Sequence, residues 1–280
     1  MEGKEMKKLI SLLLVATMLL SAMMMFASCD QEEANAKVGV QKGTTSKMYA
    51  DILKGIEVVS YDTFALAAKD MNNGVVDYVI VDKTTGEALC REIDGLKVNP
   101  IALSSENYGI AIDKNQADLK TKIDGILESK AAEIQAIKDK YMNNDEASFV
   151  AVTPVAKDAS KADQQLVVAT NAEFSPWEYK TENKYFGIDM EIAALLASEL
   201  NMELVIEDMK FETVVGAVGN NGVDIAMSGL TITAEREKVV NFSTPYFAED
   251  IVVICKADDT TFDACKTAVD VLSIICSPAK

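Results

Sequence analysis

Two α/β lobes, each built on a mostly parallel sheet, are what this sequence predicts, and three observations carry the prediction. The chain has 280 residues, 49% hydrophobic and 25% charged, enough apolar material for one large or two small domains. Within it a pattern recurs. Glu57-Val58-Val59-Ser60, a helix-like stretch from Thr63 to Met71 and Asn72-Asn73-Gly74 lead into the apolar run that ends at Val81. Glu203-Leu204-Val205-Ile206, a stretch from Phe211 to Val218 and Asn220-Asn221-Gly222 lead into the run that ends at Met227. Each copy reads as a strand, an amphipathic helix closed by Asn-Asn-Gly and a second, buried strand. Finally, both buried strands end on polar residues, Asp82 in one copy and Ser228-Gly229 in the other, and ligands of parallel sheets sit beyond the carboxyl ends of the strands.

Taken in chain order, Lys4, Lys7 and Lys8 precede an uncharged, largely apolar run from Leu9 to Phe26, and Ala27 and Ser28 lead into Cys29. That order is the order of an export signal, residues 1–28, with an uncleaved anchor helix as the alternative, because the run approaches the roughly 20 residues that span a bilayer. Phe26-Ala27-Ser28-Cys29 resembles a bacterial lipobox, which implies lipidation of Cys29 and attachment to the outer face of a membrane. Residues 29–36 then read as a polar tether. Leu119, Ile123, Ile126, Leu127, Ile134, Ile137 and Tyr141 have the spacing of one or two amphipathic helices. From Asn143 to Gln165 periodicity is lost, as in a linker, and a fresh strand begins at Leu166-Val167-Val168-Ala169. The tail after Ala257 ends in an apolar run to Cys276, either a short helix packed on a lobe or an aberrant end.

Composition narrows the chemistry. A formal net charge of -17 repels phosphate backbones, so nucleic acid is not expected as a partner. The absence of histidine removes the serine-histidine triad, the usual zinc ligand and the commonest general base. Cys90, Cys255, Cys265 and Cys276 form no C-x-x-C pair, so neither a metal nor a cofactor is expected, and the thiols read as buried. An exported chain nonetheless permits a disulfide.

The sequence blocks LVVATNAEFSPWEY, YFGIDMEIAALLASEL and NGVDIAMSGLTITAEREKVVNFSTPYF resemble the first lobe of the polar amino-acid-binding proteins of ABC importers, the bacterial extracellular solute-binding proteins of family 3. Lys37 to Met142, with VGVQKGTTS, NNGVVDYVIVD and YGIAIDKNQADLKTKIDGIL, resembles the rest of the same family. The resemblance implies a two-lobed periplasmic-binding-protein type II fold with a ligand cleft between the lobes. It further implies capture of a polar amino acid by a monomer and delivery to an ABC transporter permease. The order departs from the family. Here the second lobe (37–103) and the returning hinge strand and helices (104–142) precede the linker (143–165) and the first lobe with the other hinge strand (166–256), and an atypical tail (257–280) follows. Such an order is that of a circular permutant in which 143–165 joins the old ends, an arrangement tolerated when those ends lie close together.

The same resemblance distributes roles over the site. Arg236, in Thr231-Ile232-Thr233-Ala234-Glu235-Arg236, would clamp the ligand α-carboxylate with paired charge-assisted hydrogen bonds. Thr231 would add a hydroxyl, Gly229 a close backbone approach, and Thr233 a cap for a following helix whose N-terminus joins the anion site. A solvated position at a helix start is the alternative for Arg236. Asp82 would accept the α-ammonium from the opposite lobe, or else cap a helix. Gly43, Thr44 and Thr45 would contribute to carboxylate binding, or form a turn or cap. Phe174 and Phe211 would flank the ligand side chain, Asn171 would reach it, and Trp177 is either nearby or core.

Two other classes compete. Relatives of this fold include dehydratases, for which Glu173 is the nearest acid-base candidate, although the intact zwitterion clamp argues for binding rather than catalysis. A remnant of two incomplete tandem copies is the other, against which stands the presence of every expected element once.

Overall fold

The computed structural model describes residues 36–277; the expected export signal, Cys29 and most of the expected tether fall outside the described residues. The chain begins with β1 (Ala36–Gln41), α1 (Thr45–Asp51), β2 (Ile56–Tyr61), α2 (Phe64–Asn72), β3 (Tyr78–Asp82), α3 (Lys83–Glu92) and β4 (Leu96–Tyr108). The side chains of Thr44 and Thr63 cap α1 and α2, each accepting a hydrogen bond from the backbone N-H three residues on. After β5 (Ala111–Ile112), the amphipathic stretch forms two helices, α4 (Ala117–Ser129) and α5 (Ala131–Met142), broken at Lys130.

Residues 143–165 carry only 3-10 turns, yet they are pinned down. Val152 pairs with Tyr185, and the buried Glu191 accepts hydrogen bonds from Tyr141 Oη at 2.6 Å and Val150 N at 3.0 Å while pairing with Lys140. The chain continues through β6 (Gln165–Thr170), β7 (Glu173–Phe174), β8 (Glu178–Thr181), β9 (Lys184–Phe186), α6 (Ile188–Glu199), β10 (Glu203–Asp208), α7 (Phe211–Ala217), β11 (Ile225–Ala226), β12 (Asn241–Phe242), β13 (Phe247–Lys256) and α8 (Ala268–Ile275). In the second copy of the repeated pattern the helix stops earlier than Asn-Asn-Gly. It ends at Ala217, and a turn closed by Gly219 N to Val223 O at 2.9 Å takes up the rest.

Two five-stranded sheets share one plan. Their orders are β2-β1-β3-β13-β4 and β10-β6-β11-β5-β12. In each, the first three strands are parallel and the fourth is antiparallel to both neighbours. The antiparallel strand is always lent by the other half. β5 leaves the β1 lobe after β4 and enters the β6 sheet, while β13 leaves the β6 lobe after β12 and enters the β1 sheet. The two crossings run side by side, with Ser243 N donating to Ile110 O at 2.9 Å and Tyr246 N to Tyr108 O at 3.1 Å.

All six residues of β6 are buried, as expected of a strand covered on both faces rather than one that alternates. The tail is a packed helix. Val271, Leu272 and Ile275 of α8 join Phe262 against Val38, Ile80 and Val253, and Thr267 with Asp270 forms a capping box at its start. Each such buried side chain contributes roughly 1.5–3 kcal/mol. The architecture is a two-lobed periplasmic-binding-protein type II fold.

Candidate functional site

Where the carboxyl ends of the two sheets face each other lies a cavity of about 10 Å³, room for roughly one water molecule. From the β1 lobe, Gln41, Thr44, Thr45 and Asp82 line it; from the β6 lobe, Phe174, Phe211, Gly229, Thr231 and Arg236 do. Asn171 stands just behind, its Oδ1 accepting from Gln41 Nε2 at 3.0 Å and its Nδ2 donating to Met209 O at 2.9 Å.

Arg236 is the cation of the cavity. Its Nη1 donates to Thr231 O at 2.9 Å, its Nη2 reaches across the cleft to Gly43 O at 3.2 Å, and the guanidinium lies 5.6 Å from the Phe211 ring centroid. The helix expected after Thr233 is absent. Thr233 Oγ1 accepts from Arg236 N at 3.2 Å, but only the 3-10 turn Arg236–Lys238 follows, too short to focus a helix dipole on an anion. Whatever fixes an anion here is the side chain itself and the neighbouring hydroxyls.

Asp82 occupies the N-cap position of α3 without making a cap hydrogen bond. Its carboxyl turns instead toward the cavity, where Tyr108 Oη donates to Oδ1 at 2.5 Å. Burial, then Glu249 and Glu106, push its pKa well up. Thr44 does cap: it accepts from Lys47 N at 3.1 Å and donates to Gln41 O at 2.7 Å. Thr45 Oγ1 donates to Glu106 Oε2 at 2.8 Å and Thr231 Oγ1 donates to the same oxygen at 2.6 Å, so hydroxyls of opposite lobes meet on one carboxylate.

Glu106 is the residue that sequence reasoning passed over, together with Gln41, Tyr108, Thr84 and Glu249. Glu106 precedes the Tyr108-Gly109-Ile110 crossing in the polar run Ser104-Ser105-Glu106-Asn107, where nothing local in the sequence marks it. Trp177 is both core and bridge. Wholly buried, with its ring edge-on to Tyr108 at 4.9 Å and Phe247 at 4.6 Å, it donates Nε1 to Thr84 Oγ1 at 2.8 Å, and Thr84 donates onward to Glu249. Glu173 is exposed and lines a separate outer groove with Asp62, Lys69, Glu92 and Lys180, so it is not the cleft's acid-base candidate.

Gly229 has φ +51, and a Cβ there would meet Phe174 Cε1 at 2.6 Å. The glycine is what lets the aromatic ring close over the turn.

Buried acids behind the cleft make the fold pH-sensitive. Burial pushes Glu249 up to about 7 and Asp189 up to about 6. A carboxyl whose folded pKa exceeds its unfolded value stabilises the fold most below the unfolded pKa and loses that contribution as pH rises through the folded pKa. Melting temperature is therefore expected to fall between about pH 4.5 and pH 7 on account of these two groups, and Glu249→Gln is expected to flatten that fall. An equally steep decline in the variant would show that Glu249 is not its source.

With this geometry in place, likenesses to known proteins take on meaning. The profile of the bacterial extracellular solute-binding proteins, family 3, matches residues 166–270. The arginine-binding extracellular protein ArtP of Bacillus subtilis is 35% identical over 95 residues, 34% of this chain and 37% of that protein. The cyclohexadienyl dehydratase of Pseudomonas aeruginosa is 35% identical over 85 residues, 30% of this chain and 32% of that protein. The solved arginine-bound form of domain 1 from TmArgBP is 32% identical, covering 43% of this chain and 98% of that one at a TM-score of 0.31. The chain thus spans only 37% and 32% of the two curated relatives. The likeness to the bacterial extracellular solute-binding proteins, family 3, rests on residues 166–270.

Proposed function

We propose that this chain captures a polar amino acid between its lobes and delivers it to the permease of an ABC transporter, as a monomer held at the membrane by lipid on Cys29. The observation that carries the reading is the convergence of Arg236, the Thr45 and Thr231 hydroxyls, Asp82 and two aromatic rings on one interlobe cavity. In the bound state Arg236 holds the α-carboxylate, with the Thr231 and Thr45 hydroxyls turned to it from Glu106, Asp82 takes the α-ammonium, Phe174 and Phe211 sandwich the side chain, and Asn171 orders the wall behind. The acid groups Asp82, Glu106 and Glu249 outnumber the single guanidinium, and a cationic ligand would draw the raised pKa values of Asp82 and Glu249 back down. That excess favours a ligand with a net positive charge, and an arginine-binding relative points the same way.

Entry requires the lobes to part, since the cavity holds only about one water; the paired crossings are the natural hinge. Within this reading the lobes are circularly permuted relative to the family, 37–103 forming the second lobe and 143–165 joining the old ends. Solution scattering that showed two separate particles rather than one would sink that arrangement.

The test is a thermal shift of the chain from Asp30 onward against the common amino acids. A ligand bound only by the native state adds about 2.7 kcal/mol at a hundred times its Kd. Arginine or lysine is expected to give the largest rise. A cooperatively melting protein that responds to none of them would overturn the reading. The dehydratase relative and a buried acid near Asp82 pushed up to about 7, Glu249, favour a second reading as a cleft enzyme, to which turnover of a prephenate-like acid would move the assignment.

A further inference from the structure

Behind the cavity wall lies a polar cluster that the proposed binding chemistry does not use. Glu178 on β8 and Asp189 in the first turn of α6 are both wholly buried. Asp189 Oδ2 accepts from Gly229 N at 2.9 Å and its Oδ1 from Tyr246 Oη at 2.7 Å. Glu178 Oε1 accepts from Ser228 Oγ at 2.6 Å, and Ser228 Oγ in turn accepts from Asn171 N at 3.2 Å. Two buried acids therefore hold the Ser228-Gly229 turn and the start of the Asn171 loop.

Glu178 Oε2 finds no donor and faces the Asp189 carboxyl. Two carboxylates that meet out of water, with no cation among their partners, cannot both stay charged; one proton between them turns repulsion into a hydrogen bond. Every acceptor oxygen of Asp189 is then matched by a donor, and the geometry of the turn follows from that matching.

We propose that Glu178 and Asp189 are positioning residues that share one proton and thereby lock the Ser228-Gly229 turn in the shape that faces the ligand. The link to ligand rests on the reading of Gly229 as a cleft residue; the locking of the turn does not. Glu178→Gln puts an N-H where the shared proton sits and leaves an oxygen for Ser228. Asp189→Asn leaves one acceptor oxygen for two donors, Gly229 N-H and Tyr246 O-H.

Amide hydrogen exchange at Gly229, followed by NMR in the ligand-free chain, reads the turn directly, and an arginine titration reads the cleft. Glu178→Gln is expected to leave both within about threefold of wild type, because its hydrogen bonds are conserved. Asp189→Asn is expected to speed Gly229 exchange and weaken arginine binding by about tenfold each, the loss of roughly one hydrogen bond. Adding Tyr246→Phe to Asp189→Asn removes the competing donor and is expected to restore Gly229 protection. The inference is overturned by unchanged Gly229 exchange in Asp189→Asn, by Glu178→Gln behaving as badly as Asp189→Asn, or by a double variant that restores nothing. If the exchange pattern holds while the wild type binds no amino acid, the locking stands and the amino-acid reading falls.

Discussion

Arg236→Ala is expected to abolish the stabilisation that an amino acid confers. The side chain offers a planar fork of donors beside two threonine hydroxyls, and each hydrogen bond to a charged partner is worth about 1.5–3 kcal/mol. Losing two of them lowers affinity by about a hundredfold or more. The loss is not of contacts alone. Without the guanidinium, the acids Glu106 and Asp82 lose their neighbouring positive charge, and the interlobe hydrogen bond to Gly43 O disappears. Arg236→Lys keeps the charge but not the fork, and an intermediate loss is expected. Titration calorimetry with the best amino acid of the thermal-shift panel distinguishes the cases; affinity within threefold of wild type in Arg236→Ala would remove the residue from the site.

Gly187→Ala is expected to be the most damaging single change for the fold itself. Gly187 precedes α6 at φ +120, a backbone region that side chains avoid, and a Cβ there would lie 2.2 Å from Trp177 O. The obstacle is backbone, not a side chain that could swing away. The same carbonyl accepts from Asp189 N at 2.8 Å, so displacing it moves the acid that holds Gly229. A cost above about 4 kcal/mol places this among the exceptional substitutions. Gly74→Ala is the control, since its φ of +76 is also positive but nothing lies within 4 Å of the added methyl. It is expected to cost only about 1 kcal/mol, from backbone strain. Urea unfolding followed by circular dichroism measures both, and similar midpoints for the two variants would refute the argument.

How much was legible in the sequence depends on whether a residue's role is local. The strand-helix-strand repeat could be read because Asn-Asn-Gly and the buried strands announce themselves within a few residues. The two halves' shared sheet plan follows from it. Arg236, Thr231 and Gly229 stood out as one short block, and the structure does bring them together with Asp82, Thr44, Thr45, Phe174 and Phe211. Glu106 was not legible, since its meaning comes from hydroxyls 61 and 125 residues away in the chain. Asp189 was hidden differently. The first turn of α6 is buried on all sides, from Ile188 to Ala193, so no polar face marks its acids as surface or its apolar side as core. The helix expected after Thr233 failed for a local reason: the turn at Arg236–Lys238 gives way at Val239 and the chain passes straight into β12.

The exchange of strands between the sheets reaches beyond the cleft. β13 pairs with β4 from Lys256 opposite Leu96 to Phe247 opposite Tyr108, with a register shift between Ile251 and Val253, while β5 sits between β11 and β12. Neither half of the chain contains a whole five-stranded sheet, so neither lobe can complete its native core while the other is still unfolded. Folding is an act of mutual completion over long chain separations, which makes it slow. For the same reason, pieces divided between α5 and β6 would each carry the strand the other lacks, and would have to be rejoined in solution for either to become a protein.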